Sequence, residues 1–173
     1  MTALPDQSAE AGPALGPPSA QTLRVGVISD THGLLRPEAL AFLRGSDFIV
    51  HAGDICDPDI LVELARIAPV TAVKGNCDRG PWAGRLRERE SLRVGGQLLY
   101  VIHNLAQLEL EPGAPGIRVI VSGHSHQPMV AERGGVLYLN PGSAGPRRFR
   151  LPVSAGELVI RGNRVSGRTV ELG

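Results

Sequence analysis

Aromatic residues are scarce: Trp, Tyr and Phe together make up 3% of the 173 residues. That is too few for the stacking platforms on which single-stranded nucleic acids bind. A surplus of one charge is lacking as well. There are 18 basic residues against 17 acidic ones, a net charge of +1. Such a chain projects no general field toward nucleic acid or a membrane surface, so an anionic ligand must be held by a local site. No run of about 18 or more apolar residues is available to span a bilayer, and no early segment has the basic and apolar regions of a signal peptide. Cysteine is rare. Cys56 and Cys77 are the two present, in neither zinc-finger nor thioredoxin-like spacing. They are expected as buried free thiols, not a disulfide, in a reduced, cytoplasmic compartment.

What remains is ordinary globular composition, 42% hydrophobic and 20% charged, in a length that suits one domain. Residues 1–21 carry Pro5, Pro13, Pro17 and Pro18 among Ala, Gly and Ser, with no period of 2 or 3.6. They are expected to form a disordered tail ahead of a single domain over 22–173. The folded part opens with alternating strands and helices. Strands are expected at Leu23–Ile28, Phe48–Ala52 and Val70–Val73. A helix is expected over Pro37–Arg44, and another opens at Pro58 behind the capping residue Asp57 and runs to about Ile67. This rhythm predicts a parallel sheet flanked by helices. The second half reads as hairpins and strands, with turns at Gly95-Gly96, Arg133-Gly134-Gly135 and Gly162-Asn163. Two mixed sheets packed face to face, with helices outside, accommodate both halves. Trp82 and the charged run Arg85–Glu90 read as a solvated surface segment.

Chemistry-bearing residues recur at one kind of place. Asp30, Asp54, Asn76, His103 and His124 each follow an expected strand, at separations of 24, 22, 27 and 21 residues. These are about the length of one strand-crossover-strand unit. Parallel sheets bind ligands at the carboxyl ends of their strands. Right-handed crossovers therefore gather two Asp, one Asn and at least three His along one edge. Asp30 with His32, and His124 with His126, are two apart, and in extended chain such pairs point one way. Either pair could grip a metal ion from one side. Oxygen and imidazole donors suit Mn²⁺, Fe²⁺, Co²⁺, Ni²⁺ or Zn²⁺. A soft thiolate site is not indicated, since Cys77 alone falls near the ligands, and Cys56 reads as core. Two divalent ions against Asp30 and Asp54 leave a residual charge of about +2, which favours an anionic phosphoryl group over a neutral ester. His51, inside its strand, reads as a buried, hydrogen-bonded residue behind the site. Asn140-Pro141-Gly142-Ser143 is a further turn that supplies backbone donors or shapes the wall.

Taken as an ordered set, Asp30-Thr31-His32, Gly53-Asp54, Gly75-Asn76-Cys77-Asp78, His103 and Gly123-His124-Ser125-His126 resemble the motifs of the calcineurin-like metallophosphoesterase superfamily. The likeness is to its small bacterial and archaeal phosphodiesterase branch, over about residues 24–171. The resemblance implies an α/β fold, a four-layer sandwich of two mixed β-sheets flanked by helices. It implies that Asp30, His32 and His126 bind one metal ion, that Asn76, His103 and His124 bind a second, and that Asp54 bridges them. Mn²⁺ is the usual ion of that family. Asp54, Asn76 and His103 would stand at the catalytic centre, where a metal-bridging hydroxide attacks a small phosphodiester. A phosphomonoesterase, or a non-catalytic scaffold on the same fold such as the retromer subunit that resembles this family, is the alternative. Homo-oligomerisation is left open.

Two departures stand out. Many relatives have His, which protonates the leaving group, where this chain has Cys77. An unperturbed thiol, with a pKa near 8.5, is a poor substitute. Asn104 follows His103 where Gly is usual, and Asn tolerates positive φ.

Overall fold

The computed structural model describes residues 21–109 and 115–173, so the expected tail lies, apart from Gln21, outside the described residues. The chain order is β1 (Thr22–Ile28), α1 (Pro37–Leu43), β2 (Phe48–His51), α2 (Pro58–Ala65), β3 (Val70–Ala72), β4 (Arg89–Val94), β5 (Gln97–Ile102), β6 (Ile117–Val121), β7 (Met129–Arg133), β8 (Val136–Asn140), β9 (Ser154–Arg161) and β10 (Arg164–Glu171). Two sheets form, ordered β10-β9-β1-β2-β3 and β4-β5-β6-β8-β7. Both are mixed. β1, β2 and β3 run parallel, with β9 and β10 added antiparallel. β5, β6 and β8 run parallel between the antiparallel edges β4 and β7.

Alternation along the strands decides what each face buries. Val25 and Val27 of β1 and Val50 of β2 point between the sheets. They meet Leu99, Val101, Val119, Val121, Leu137 and Leu139 of the second sheet there. The opposite face of the first sheet, Ile28 and Ile49, is covered by Ala39 and Leu43 of α1 and Ile60 and Leu64 of α2. Truncating a fully buried residue such as Leu99 to Ala typically costs about 2–5 kcal/mol. The outer face of the second sheet carries a smaller cluster, Ile120, Val136 and Tyr138, with Leu105 from a 3-10 turn over it.

Local signals behave as their chemistry requires. Asp57 caps α2, its Oδ1 accepting from Asp59 N at 3.0 Å, with Pro58 as the first helical residue. Gly95 and Gly96 both take positive φ, 55° and 82°, as a two-residue primed turn demands. Trp82 is a correction to the sequence reading. It is half-buried and, with Leu86, packs under the first sheet on the α2 side. Between them lies a 3-10 turn at Ala83–Arg85, and Arg89 and Glu90 already belong to β4. The charges of that run hid two apolar anchors four residues apart.

Candidate metal centre

The carboxyl ends of β1, β2, β3, β5 and β6 converge, and each delivers one short loop. Asp30 N donates to Gly53 O at 3.0 Å and His32 N to Asp54 O at 2.9 Å, which ties the β1 loop to the β2 loop. Across the sandwich, His124 N donates to Asp30 Oδ2 at 3.0 Å. The loops touch closely. A Cβ on Gly75 would lie 2.1 Å from Asp54 N and 2.2 Å from its Oδ1, so only glycine fits there.

Two groups of donor atoms result. In the first, Asp30 Oδ1 lies 3.3 Å from His126 Nε2 and 3.8 Å from His32 Nε2, and the two imidazole nitrogens are 3.4 Å apart. In the second, Asn76 Oδ1 is 3.0 Å from both His103 Nε2 and His124 Nδ1. Asp54 Oδ2 stands between them, 3.8 Å from His32 Nε2 and 3.5 Å from His103 Nε2. All seven sequence-predicted site residues are thus brought together.

Each carboxylate uses one oxygen as a backbone anchor and leaves the other facing the cluster. Asp54 Oδ1 accepts from Cys77 N at 2.7 Å, and Asp30 Oδ2 accepts from His124 N. Asp30 Oδ1 is fully buried and has no hydrogen-bond partner. A buried carboxylate oxygen without a partner is costly unless a cation supplies one. His103 has the same two-sided build. Its Nδ1–H donates to Ala52 O at 2.7 Å, which leaves the bare Nε2 aimed at Asn76 Oδ1, another acceptor. Two acceptors at 3.0 Å need a cation or proton between them. The donor set therefore fits divalent cations on both sides of Asp54.

The charges agree with this. Burial raises the Asp54 pKa, but the neighbouring His103 ring and the hydrogen bond from Cys77 N outweigh it and hold the carboxyl far below its usual range. Asp30 is also lowered, burial being overcome chiefly by His126 and Ser29. For His103, burial is offset by Asp54 and the Ala52 carbonyl, and its pKa is raised. Burial and then the Arg148 charge lower that of His32.

Several expectations need correcting. The i, i+2 pairs are not extended. Asp30, His32, Asp54, His124 and His126 all take left-handed backbone, with φ between 46° and 67°. Such strain in non-glycine residues costs about 1–3 kcal/mol each and collects at functional sites. His124 and His126 part to opposite groups, as the resemblance implies, whereas Asp30 and His32 stay in one group. Asn104 has φ −106°, so tolerance of positive φ is not why Asn is accepted. Its Oδ1 instead caps the 3-10 turn that follows, accepting from Ala106 N at 3.0 Å. Cys56 is exposed and not core, and Cys77 is half-buried; both are free.

His51 is buried behind the site, and its tautomer follows from its partners. Gly53 N donates to Nδ1 at 3.2 Å, so Nε2 carries the proton and donates to Thr31 Oγ1 at 3.0 Å. Thr31 in turn donates to Ile55 O. Burial lowers the His51 pKa to about 4, which keeps the ring neutral. The Asn140 turn shapes the wall through side chains. Asn140 Nδ2 donates to Gly123 O and Ser125 Oγ, and Ser143 Oγ donates to Asp30 O.

Sequence reasoning missed two things. Asp78 is buried, and its carboxylate accepts four backbone N–H groups, from Asp54, Ile55, Cys56 and Gly75 at 2.7–3.0 Å. An acidic residue two positions past a ligand, in a Gly-rich turn, was its only signal. The second is the charged lining of the cleft. Lys74 and Arg79, with Asp78 and Glu88 alongside, border a cleft of about 430 Å³ beside Asn76, His103 and His124, and the Arg148 charge acts on His32.

Comparison with known proteins agrees with this geometry. Residues 23–161 match the calcineurin-like phosphoesterase superfamily domain. A probable metallophosphoesterase of Methanothermobacter thermautotrophicus is 41% identical, covering 86% of this chain and 92% of that protein. Phosphodiesterase YfcE of Escherichia coli is 29% identical over 75% of this chain and 84% of its own. Vacuolar protein sorting 29 of Cryptosporidium parvum superposes with a TM-score of 0.75 at 22% identity, covering 88% of this chain and 92% of that one, a likeness of fold. With residues 23–161 matching the family and a relative 41% identical over most of both chains, the chain belongs to the calcineurin-like phosphoesterase superfamily.

Proposed function

We propose that the protein is a dinuclear, metal-dependent phosphodiesterase. The observation that carries this reading is the position of Asp54 Oδ2 between two complete donor groups, 3.8 Å from His32 and 3.5 Å from His103. Asp30, His32 and His126 would hold one divalent cation; Asn76, His103 and His124 would hold the other; Asp54 would touch both. Mn²⁺ suits this set, and Fe²⁺, Co²⁺, Ni²⁺ or Zn²⁺ can substitute. Bound there, the pair of cations supplies activation of water and charge stabilisation at the phosphoryl oxygens.

The chain itself contributes orientation. Ala52 O fixes the His103 ring, and Cys77 N and His124 N fix the two carboxylates, so the groups facing substrate need little reorganisation. Lys74 and Arg79 line the cleft together with Asp78 and Glu88, so the positive charge met by an anionic substrate would come chiefly from the divalent cations. Where many relatives carry a proton-donating His, this chain has Cys77, whose pKa is raised by burial together with the Asp54 carboxylate. A general acid is worth about 10²–10⁴ in rate. Without one, rate should fall steeply as the leaving group becomes more basic, so nitrophenyl diesters should outpace alkyl diesters by several orders of magnitude. The retention of all seven donor side chains supports an enzyme over a scaffold on the same fold.

The test uses metal-free protein, with Mn²⁺ added back, on matched nitrophenyl monoesters and diesters and a series of leaving groups. Two equivalents of Mn²⁺ bound per chain, with diesters turned over faster than monoesters, are expected. No Mn²⁺ bound at saturation would sink the enzyme reading. A preference for monoesters would replace the substrate class, and a flat leaving-group series would mean that a general acid is at work.

A further inference from the structure

The two cysteines, 21 residues apart in sequence, meet at the rim of the site. The sulfurs of Cys56 and Cys77 and a ring nitrogen of His32 all lie within 4.8 Å of one another, and Cys56 Sγ is 3.8 Å from His32 Nδ1. We propose that these three atoms form a separate, soft metal site, which takes a thiophilic cation such as Zn²⁺, Cd²⁺ or Cu⁺ in competition with the cation held through the other face of His32.

The geometry is close to what such an ion needs. A tetrahedral zinc-type ion, with bonds of about 2.3 Å to sulfur and about 2.0 Å to nitrogen, sets a sulfur and a nitrogen roughly 3.6 Å apart and two sulfurs roughly 3.8 Å apart. The Cys56–His32 separation is already there to within a few tenths of an ångström, and the remaining pairs close by about an ångström or less. The frame is prebuilt. One Asp78 carboxylate accepts from Cys56 N at 2.8 Å and from Gly75 N at 2.7 Å, clamping together the two loops that carry the sulfurs. Asn76 Nδ2 donates to Cys77 Sγ at 3.4 Å, a contact that helps fix the sulfur in place. Cys56 is exposed, so an ion can enter from solvent and a water can complete its coordination. Sulfur ligands also select against Mn²⁺ and Mg²⁺ and for soft ions.

His32 couples the two sites. Its Nε2 faces Asp30, Asp54 and His126, and its Nδ1 faces Cys56. A neutral imidazole has one bare nitrogen, so the ring can serve one cation at a time. A soft ion seated on Nδ1 therefore withdraws His32 from the first donor group and stops turnover. This competition rests on the phosphodiesterase reading of His32; the thiol site itself does not.

Two arms of one experiment separate those claims. Metal-free, fully reduced protein is titrated with Cd²⁺ while the ultraviolet absorption of thiolate bound to cadmium is followed. One equivalent per chain should develop the band. Cys56→Ser and Cys77→Ser should each weaken that binding at least about tenfold and remove part of the band. No band, or a band unchanged in either variant, overturns the site. Mn²⁺-loaded protein is then titrated with Cd²⁺ while released Mn²⁺ is measured by electron paramagnetic resonance. About one Mn²⁺ should appear in step with the band, and the double serine variant should require at least about tenfold more Cd²⁺. A saturated band with all Mn²⁺ retained overturns the competition. Protein that never binds Mn²⁺ fails the enzyme reading while the first arm still decides the thiol site.

Discussion

The two donor groups of the candidate metal centre are built differently. Asp30, His32 and His126 all sit in left-handed backbone, and Asp30 and His126 are buried. Of Asn76, His103 and His124, only His124 is left-handed, and both it and Asn76 are exposed. The first half is held in strained conformations by the surrounding loops and has little left to order when a cation arrives. The second half has an amide and an imidazole in solvent that must be immobilised. Preorganisation of this kind shows as affinity. The first position should bind Mn²⁺ at least about tenfold more tightly than the second, and a titration followed by electron paramagnetic resonance should be biphasic.

The largest expected effect comes from removing what the halves share. Asp54→Ala should abolish binding at both positions and lower kcat by about 10³-fold or more, a loss of roughly 4 kcal/mol in transition-state stabilisation. His126→Ala should remove the tight phase alone, and His124→Ala the weak phase alone. Identical titrations for all three variants would show that Asp54 is not a bridge and that the halves are not distinct.

Asp78 tests whether the difference depends on the loops beneath. Replacing it by Ala leaves three buried N–H groups and the part-buried one of Cys56 without their acceptor, and each buried group costs about 1–3 kcal/mol. Partial rescue by water brings the expected loss to about 3 kcal/mol or more of unfolding free energy, read from urea denaturation. Asp78→Asn, with one acceptor oxygen, should lose less. If Asp78→Ala unfolds at the wild-type midpoint, the clamp is unimportant.

His51 gives an effect of similar size that depends on pH. Its pKa is lowered from an ordinary 6.5 to about 4 in the folded state. Between those values the unfolded chain binds a proton that the folded one refuses, so stability rises with pH. The contribution is present in full above about pH 6.5 and disappears as pH falls toward 4. Two to three pKa units correspond to about 3 kcal/mol. In metal-free protein, His51→Gln should flatten that slope relative to wild type; equal slopes would place the titration elsewhere.

Much of this organisation was legible in the sequence, for identifiable reasons. The strands before Asp30, Asp54 and Asn76 are short apolar runs ended by polar loop residues, and Asp57-Pro58 marks a helix start by capping chemistry alone. Five of the seven proposed ligand positions were readable because each follows a strand, and His32 and His126 followed from their spacing and the family resemblance. What was not readable is geometry that arises between loops. A period of 2 suggested that His124 and His126 face one way, whereas in the fold they part to opposite groups. Cys56 reads as core in the sequence, yet its backbone is held at the rim by Asp78 across a tertiary contact. The four hydrogen bonds of Asp78 come from two different loops, and no local pattern encodes them.

The smallest expected effect concerns Cys77, which borders the shared carboxylate. Burial and the nearby Asp54 charge both raise its pKa, which makes the thiol a weaker proton donor. Its structural contribution to the centre is made by its backbone, through the 2.7 Å bond from Cys77 N to Asp54 Oδ1, which any residue can supply. Cys77→Ser preserves that bond and the approximate volume, so kcat for nitrophenyl diesters at saturating Mn²⁺ should change by less than about threefold, well short of the 10²–10⁴ of a general acid. Cys77→His should act differently. An imidazolium beside the leaving oxygen can donate a proton, and it should lift alkyl diesters more than nitrophenyl diesters, flattening the leaving-group series. Near-complete loss of rate in Cys77→Ser would make the thiol the proton donor after all.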